Sequence, residues 1–210
     1  MSDITVNSFR RRRGAILRKK IEEASAALGR PLVILDVGGR PDYWDNVDPV
    51  GVDKIILMNI EAFELSREAR FARFETSVGD ACDLSAFKDG SIDFVHSNSV
   101  IEHVGGWAEQ TRMAQEVRRV GRYGWIQTPA WEFPVEPHWR LPIVHWFSRP
   151  LQARLLRMRG RFRKSSIADR REIVESVSLL SQREFTSLFP QTSLFVERLA
   201  LLPKSYTVWW

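Results

Sequence analysis

The sequence has one cysteine, Cys82, among its 210 residues. A single cysteine cannot form an internal disulfide, which excludes the disulfide-rich secreted scaffolds and is typical of a reducing cytoplasm. Neither paired cysteines nor a close spacing of His and Cys residues is present, so the sequence predicts no metal site. We therefore expect a cytoplasmic protein without disulfides and without a bound metal.

The sequence also lacks long hydrophobic runs. No apolar stretch reaches the roughly 20 residues of a membrane-spanning helix, and the first ten residues have no apolar core of the kind that signal peptides contain. The G-x-G-x-x-G turn of nicotinamide-binding folds is absent as well, which disfavours a dehydrogenase. Apolar and charged residues make up 44% and 27% of the chain, as is typical of a globular domain.

What the sequence does contain is a regular alternation of strand and helix patterns. β-Branched apolar runs predict strands, and apolar residues at helical spacing predict helices. The predicted strands are 32–37, 54–60, 74–78, 91–98 and 123–128, and the predicted helices are 7–29, about 62–72 and 107–120. Such alternation is typical of a parallel sheet that is covered by helices on both faces.

The alternation stops after Pro129. Residues 130–180 contain prolines, aromatic residues and basic residues but no clear strand, so we expect an insert of short helices that selects the substrate. A helix at 181–189 and two final strands follow, and the link between those strands through Pro203 and Lys204 is too short for a parallel crossover. The expected fold is one α/β domain, doubly wound and Rossmann-like, with a seven-stranded, mostly parallel sheet and an antiparallel last strand.

The positive charge, a formal net charge of +5, is concentrated in two segments, 10–20 and 140–164. Clustered arginines and lysines can bind phosphates, anionic lipid or an acidic partner. The second segment also carries apolar residues between its arginines, as amphipathic helices on membrane surfaces do. Two interpretations remain open: a solvated helix face, or a surface that binds an anionic partner or covers a substrate site.

Polar or small residues follow the first four predicted strands, at the point where each strand ends. They are Asp36, Gly38 and Gly39 after the first strand, Asn59 and Glu61 after the second, Gly79, Asp80 and Ala81 after the third, and Ser97, Asn98 and Ser99 after the fourth. The carboxyl ends of parallel strands meet at one edge of a sheet, where open α/β folds bind their ligands. Glycines at this edge let a ligand approach the backbone. We therefore expect a small polar ligand there.

Four segments resemble the class I S-adenosylmethionine-dependent methyltransferases: LDVGG, GDACDL, SIDFVHSNSVIEHV and the C-terminal FPQTSLFVERLALLPKSY. The resemblance runs from about Leu32 to the C-terminus. It implies S-adenosylmethionine as the cofactor and methyl transfer to an unidentified acceptor, a small molecule, as the activity. The cofactor contacts that it implies are Asp36, Gly38 and Gly39 for the methionine part, Asn59 and Glu61 for the ribose, Asp80 and Ala81 for the adenine, and Ser97 beside the cofactor.

Two positions depart from the family pattern. Arg40 and Pro41 stand where the family usually has a third glycine and a small residue, and Asn59 stands where it has an acid that binds the ribose. An asparagine has one acceptor oxygen, whereas a carboxylate can accept from both ribose hydroxyls, so we expect Asn59→Asp to leave cofactor binding unchanged or to tighten it. These departures keep a second possibility open, an inactive binding or scaffold protein of the same fold.

Three residues are candidates for acid–base chemistry. Glu102 and His103 directly follow the fourth strand, and His138 lies in the segment FPVEPHW just after the fifth. A base is needed only if the acceptor must lose a proton when it is methylated. The alternative interpretation is structural, in which Glu102 and His103 bond the backbone at a helix entry and His138 packs as an aromatic residue.

Overall fold

The computed structural model describes residues 2–45, 47, 49–65 and 72–210. The helices are α1 Ser2–Leu28, α2 Pro41–Trp44, α3 Trp107–Val120, α4 Arg149–Leu155, α5 Ile167–Glu175 and α6 Gln182–Leu188. The strands are β1 Leu32–Val37, β2 Val52–Asn59, β3 Phe74–Val78, β4 Ile92–Asn98, β5 Gly121–Pro129, β6 Val135–Glu136, β7 Leu141–Pro142, β8 Ser193–Leu199 and β9 Leu202–Trp209. Among these helices, none combines the length and the hydropathy that crossing a bilayer requires.

Seven of the described strands form one sheet in the order β3-β2-β1-β4-β5-β9-β8. The first five strands in this order are mutually parallel. The last strand of the chain, β9, lies between β5 and β8 and is antiparallel to both. The predicted fold is therefore confirmed. The strand order reverses between β1 and β4, and such a switch point opens a crevice at the carboxyl ends of the strands.

Both faces of the sheet are buried, because alternate side chains of each strand point to opposite faces. On one face, Leu32 and Ile34 of β1 pack in a cluster with Leu17 and Ile21 of α1. Each of these four side chains is fully buried, and burial of one such side chain contributes roughly 1.5–3 kcal/mol. On the other face, the cluster contains Leu35 and Val37 of β1 together with residues of α3 and α6.

The final hairpin differs from the sequence prediction. Pro203 and Lys204 lie within β9 and not in a link, and the turn falls at Ala200, which has φ 54°, and Leu201. Proline lacks an N–H group and is tolerated in a strand where one side is unpaired. Pro203 pairs only with Arg198 of β8, since the pairing of β9 with β5 begins at Ser205. The proline is thus accommodated beyond the end of the β5 pairing.

Two other segments also differ from their predictions. The helix predicted at about 62–72 falls largely on residues 66–71, which lie outside the described residues, and residues 62–65 are not helical. The segment 130–180 is not free of strands, because β6 and β7 pair antiparallel. This segment has its own apolar cluster, formed by Trp139, Val144, Ala153, Leu156 and Val174.

Candidate active site

A cavity of about 450 Å³ lies at the carboxyl ends of β1 to β4, which we call the cofactor cavity. Its volume is within the range of small-ligand sites, roughly 300–1,000 Å³. Five of the predicted cofactor residues line it, namely Gly38, Asn59, Glu61, Asp80 and Ala81. The polar strand ends therefore meet at one edge of the sheet, as their positions in the sequence predict.

The turn after β1 depends on two glycines. Gly38 has φ 73°, and a Cβ built on it would lie 2.4 Å from Cγ2 of Val100. A Cβ on Gly39 would lie 2.0 Å from Oδ2 of Asp36. Both contacts are shorter than atoms tolerate, and a positive φ is strained for any residue with a side chain. The turn therefore needs glycine at both positions to hold this shape beside the cavity.

Three of the predicted cofactor residues, Asp36, Gly39 and Ser97, do not line the cavity. Asp36 is 1% exposed, and its two oxygens lie 2.6 Å from Nδ1 of His96 and 2.7 Å from Nε1 of Trp44. Ser97 is fully buried, and its hydroxyl donates to the carbonyl of Val37. The alternation of side chains explains the placement of Asp36, because residue 36 shares the α1 face with residues 32 and 34.

The end of β2 is tied to the glycine turn. Nδ2 of Asn59 donates to the carbonyl of Gly39 at 2.9 Å, so this amide holds the loop in place. Glu61 is exposed and lines the cavity, and a carboxylate can accept from a pair of hydroxyl groups. After β3, Oδ1 of Asp80 accepts from the N–H of Cys82 at 2.8 Å. Asp80 also lines the cofactor cavity.

The three predicted acid–base candidates lie together. Nε2 of His103 and Nε2 of His138 are 3.0 Å apart, and Nε2 of His138 is 4.0 Å from Oε1 of the fully buried Glu102. His103 lines the cofactor cavity. Its Nδ1 lies 3.1 Å from the carbonyl of Ser176, while Nδ1 of His138 lies 2.6 Å from Oε1 of Glu136. The segment 130–180 thus brings His138 and Glu136 to the end of β4.

The environment shifts the pKa of each member of this cluster. Burial raises the pKa of Glu102 to about 7, although a hydrogen bond from Thr128 opposes the change. Burial lowers the pKa of His103. Burial also acts to lower the pKa of His138, but the hydrogen bond and charge of Glu136 outweigh it, so that the pKa is raised. A neutral imidazole and a carboxyl group of raised pKa are thereby held beside the cavity, which suits proton transfer.

The family described as a methyltransferase domain matches residues 49–124 of the sequence, which is less than half of the chain. The fold around this match is the Rossmann-like fold of solved methyltransferase structures. No curated protein matches the sequence.

Solved structures share the fold of this chain at low identity. A proposed O-methyltransferase of Nostoc punctiforme PCC 73102 is 11% identical with a TM-score of 0.52, over 98% of this chain and 58% of that one. The bifunctional kinase-methyltransferase WbdD is 17% identical with a TM-score of 0.55, over 94% of this chain and 39% of that one. The CurJ carbon methyltransferase is 11% identical with a TM-score of 0.51, over 86% of this chain and 48% of that one. The chain therefore spans 58% of the length of the first of these proteins and less than half of the other two.

A second cavity of about 360 Å³ adjoins the cofactor cavity at Ser99, and we call it the basic cavity. Four cationic side chains line it, namely Arg10, Arg13, Arg140 and Lys204. The one carboxylate among its described lining residues is Glu197, whose Oε2 lies 3.4 Å from Nη1 of Arg13 and 4.0 Å from Nζ of Lys204. The lining therefore carries an excess of positive charge.

The two basic segments of the sequence contribute to this cavity unequally. Arg10 and Arg13 come from the segment 10–20, and Arg140 is the first residue of the segment 140–164. Other arginines of the second segment bond backbone carbonyl groups that lie outside it, within the segment 130–180. Arg149, Arg159 and Arg161 donate to the carbonyl groups of Val174, Trp139 and His138, respectively.

Sequence reasoning noted Ser99 as a polar strand end but assigned it no role in the site, and it missed Glu136 and Lys204. Ser99 has φ 58° and lines both cavities, and its hydroxyl donates to Oε1 of Gln127 at 3.1 Å. Its place at the end of β4 was a signal for it. Glu136, two residues before His138, could have been found as a carboxylate at close spacing. Lys204 gave no signal, because its position depends on the pairing of β9 with β8.

Proposed function

We propose that this chain transfers a methyl group from S-adenosylmethionine to an acceptor that carries an anionic group. The observation that carries the proposal is the meeting of two cavities at Ser99, one lined by the predicted cofactor residues and the other by four cationic side chains. A methyl donor and an acceptor must approach end to end, so adjoining sites for the two suit the reaction.

The cofactor cavity fits S-adenosylmethionine in shape and in polarity. Its turn after β1 cannot carry a side chain at Gly38, because Val100 occupies the Cβ position. The Asp80 carboxylate lines the cavity and can accept from the adenine amino group, and Glu61 can accept from the ribose hydroxyls. When bound, the cofactor supplies an activated methyl group, so the protein needs to contribute mainly alignment, which can be worth roughly 7–11 kcal/mol.

The residues of this chain have separate tasks in that reaction. Gly38, Gly39 and Asn59 shape the turn that holds the donor. The cationic side chains of the basic cavity orient the anionic end of the acceptor. If the acceptor must lose a proton, Nε2 of His103 can take it, because Nδ1 faces a carbonyl and therefore keeps its own proton.

The test is a transfer assay with methyl-labelled S-adenosylmethionine and two matched panels of small acceptors, one anionic and one neutral. We expect label to pass to members of the anionic panel. Arg140→Gln should raise the KM for those acceptors about tenfold, since a hydrogen bond to a charged group contributes roughly 1.5–3 kcal/mol. Arg154→Gln is the control, because Arg154 is exposed on α4 and does not line the basic cavity. Equal transfer to the neutral panel would contradict an anionic acceptor.

The second candidate function is a binding or scaffold protein of the same fold. The turn that carries Arg40 favours it, because the Arg40 guanidinium lies 4.8 Å from the ring centre of Phe63 at the cavity rim, where the family usually has small residues. This candidate predicts that the chain binds S-adenosylhomocysteine but transfers no label to either panel. Binding with transfer would exclude it.

A further inference from the structure

The cluster beside the cofactor cavity contains three potential ligand atoms that converge on one point. They are Oε1 of Glu102, Nε2 of His103 and Nε2 of His138, and all lie within 4.8 Å of one another. The two nitrogens are 3.0 Å apart. Two imidazole nitrogens on one zinc ion would be about 3.3 Å apart, given bonds of about 2.05 Å and a tetrahedral angle. The spacing is therefore close to what a shared metal ion requires.

The hydrogen bonds of the two rings leave both Nε2 atoms without a proton. Nδ1 of His103 faces the carbonyl of Ser176, and Nδ1 of His138 faces a carboxylate oxygen of Glu136. Both partners accept, so each Nδ1 donates, and each neutral ring then has its lone pair on Nε2. Two lone pairs at 3.0 Å repel each other unless a cation lies between them.

The third ligand atom also lacks a partner. Oε1 of Glu102 is buried and makes no hydrogen bond with any described residue, whereas Oε2 accepts from the hydroxyl of Thr128 at 3.0 Å. An unpaired buried carboxylate oxygen is costly, by roughly 1–3 kcal/mol or more. A cation at the point where the three ligand atoms converge would satisfy this oxygen and both nitrogens at once.

We propose that Glu102, His103 and His138 bind a divalent transition metal, with zinc as the best fit, at the edge of the cofactor cavity. Two imidazole nitrogens and one carboxylate oxygen are a ligand set that zinc and similar ions accept. The bonds from Nδ1 to Glu136 and to the Ser176 carbonyl are the outer contacts that metal-binding histidines usually make. Three protein ligands leave one coordination position open.

The proposed metal site contrasts with the expectation from the sequence that the protein binds no metal. His138 lies 35 residues after His103, and only the packing of the segment 130–180 brings the two rings together. In the metal-bound form, His103 and His138 are ligands and not bases. Because His103 lines the cofactor cavity, the open position can take an oxygen of the acceptor, a role that rests on the proposed function.

The test is metal binding without cofactor or acceptor, so its outcome is independent of methyl transfer. Zinc is titrated calorimetrically into chelator-treated protein, and cobalt is titrated while its visible absorption is followed. We expect one ion per chain and a cobalt spectrum typical of four-coordinate geometry. His103→Gln and His138→Gln should each weaken binding at least tenfold, and Glu136→Gln, which keeps all three ligands, should weaken it about 10- to 100-fold.

His145→Gln is the matched control, because His145 also belongs to the segment 130–180 but bonds the carbonyl of Trp131. It should bind zinc as the wild type does. If a ligand variant fails to fold, the wild-type stoichiometry and the cobalt spectrum still decide the question. Absence of zinc binding by the wild type would overturn the proposal and would leave a proton shared between the two rings as the cation. Unchanged zinc affinity in folded His103→Gln would overturn it as well.

Discussion

The cofactor cavity and the basic cavity meet at Ser99, yet they are built in different ways. The polar groups of the cofactor cavity come from the ends of successive strands, where turn residues and sheet order determine their positions. The cationic groups of the basic cavity come from three distant parts of the chain: α1, the segment 130–180 and β9. The cofactor cavity, the proposed donor side, therefore depends on local chemistry. The basic cavity, the proposed acceptor side, depends on long-range packing. Variants on one side should therefore leave the other side intact.

The largest effect is expected at the glycine turn. In Gly38→Ala, the new Cβ would meet Val100 at 2.4 Å, so we expect at least a tenfold loss of affinity for S-adenosylhomocysteine in calorimetry. Gly90→Ala is the matched control, because Gly90 has a similar φ of 61° but open space around its Cβ position. Both variants carry a backbone strain of roughly 1–2 kcal/mol. Equal ligand affinity in the two variants would show that the turn after β1 does not contribute to cofactor binding.

The next effect is expected at the end of β3. Asp80→Ala should weaken S-adenosylhomocysteine binding by about 1–3 kcal/mol, the scale of a lost hydrogen bond to a charged group. Asp83→Ala is a close control, since Oδ1 of Asp83 accepts from the N–H of Ser85 in the same way that Asp80 accepts from Cys82. Asp83 does not line the cofactor cavity. A similar loss in both variants would mean that the turn, and not the contact with the ligand, matters.

For Asn59→Asp, the structure reverses the expectation from the sequence about cofactor binding. The family pattern suggests that an acid at this position would be neutral or favourable. Nδ2 of Asn59, however, donates to the carbonyl of Gly39, and an aspartate cannot donate this bond. We therefore expect a loss of about 1 kcal/mol in cofactor affinity, measured by the same titration. Tighter binding would show that the carboxylate gains more from the ribose than the turn loses.

The smallest effect is expected at the amino ends of β1 and β4, far from both cavities. Burial acts to raise the pKa of Asp93, but the hydrogen bonds from Arg30 and from the N–H of Val33 outweigh it, so that the pKa is lowered. A lowered pKa in the folded state stabilises the protein above the unfolded-state pKa of about 3.9, and this contribution is lost as the pH falls below it.

Asp93→Asn should accordingly lower the free energy of unfolding by ~1 kcal/mol or less at pH 7, because Arg30 is half exposed. Denaturant titrations at pH 7 and near pH 3 measure the difference, which should shrink at the lower pH. The affinity for S-adenosylhomocysteine should not change. A difference that grows on acidification would contradict the assigned pKa direction.

The sheet and the cofactor cavity could be predicted from the sequence because the patterns that indicate them are local. Apolar β-branched runs gave the bounds of β1 and β3 without error, and turn residues marked the strand ends. The sequence did not show that Asp36 and Ser97 face internal partners, since that depends on which side chains of neighbouring elements reach them. The pairing of β6 with β7 was missed for a similar reason, because two-residue strands leave no periodic pattern.

The histidine pair and the basic cavity were the least predictable parts of the site. His138 was a candidate from its position after the fifth strand, but its contact with His103 arises from the packing of the segment 130–180. Lys204 reaches the basic cavity because Pro203 and Lys204 extend β9 beyond its pairing with β5. Neither contact has a spacing in the sequence that distinguishes it from chance.

The most direct test of the central claim is a titration of the wild-type protein with S-adenosylhomocysteine, read both by calorimetry and as a shift in Tm. We predict one ligand molecule per chain and a Tm that rises with ligand concentration, since a ligand at 100 times its Kd stabilises the folded state by about 2.7 kcal/mol. An unchanged Tm and no binding heat at millimolar ligand would contradict the claim that the cofactor cavity holds S-adenosylmethionine.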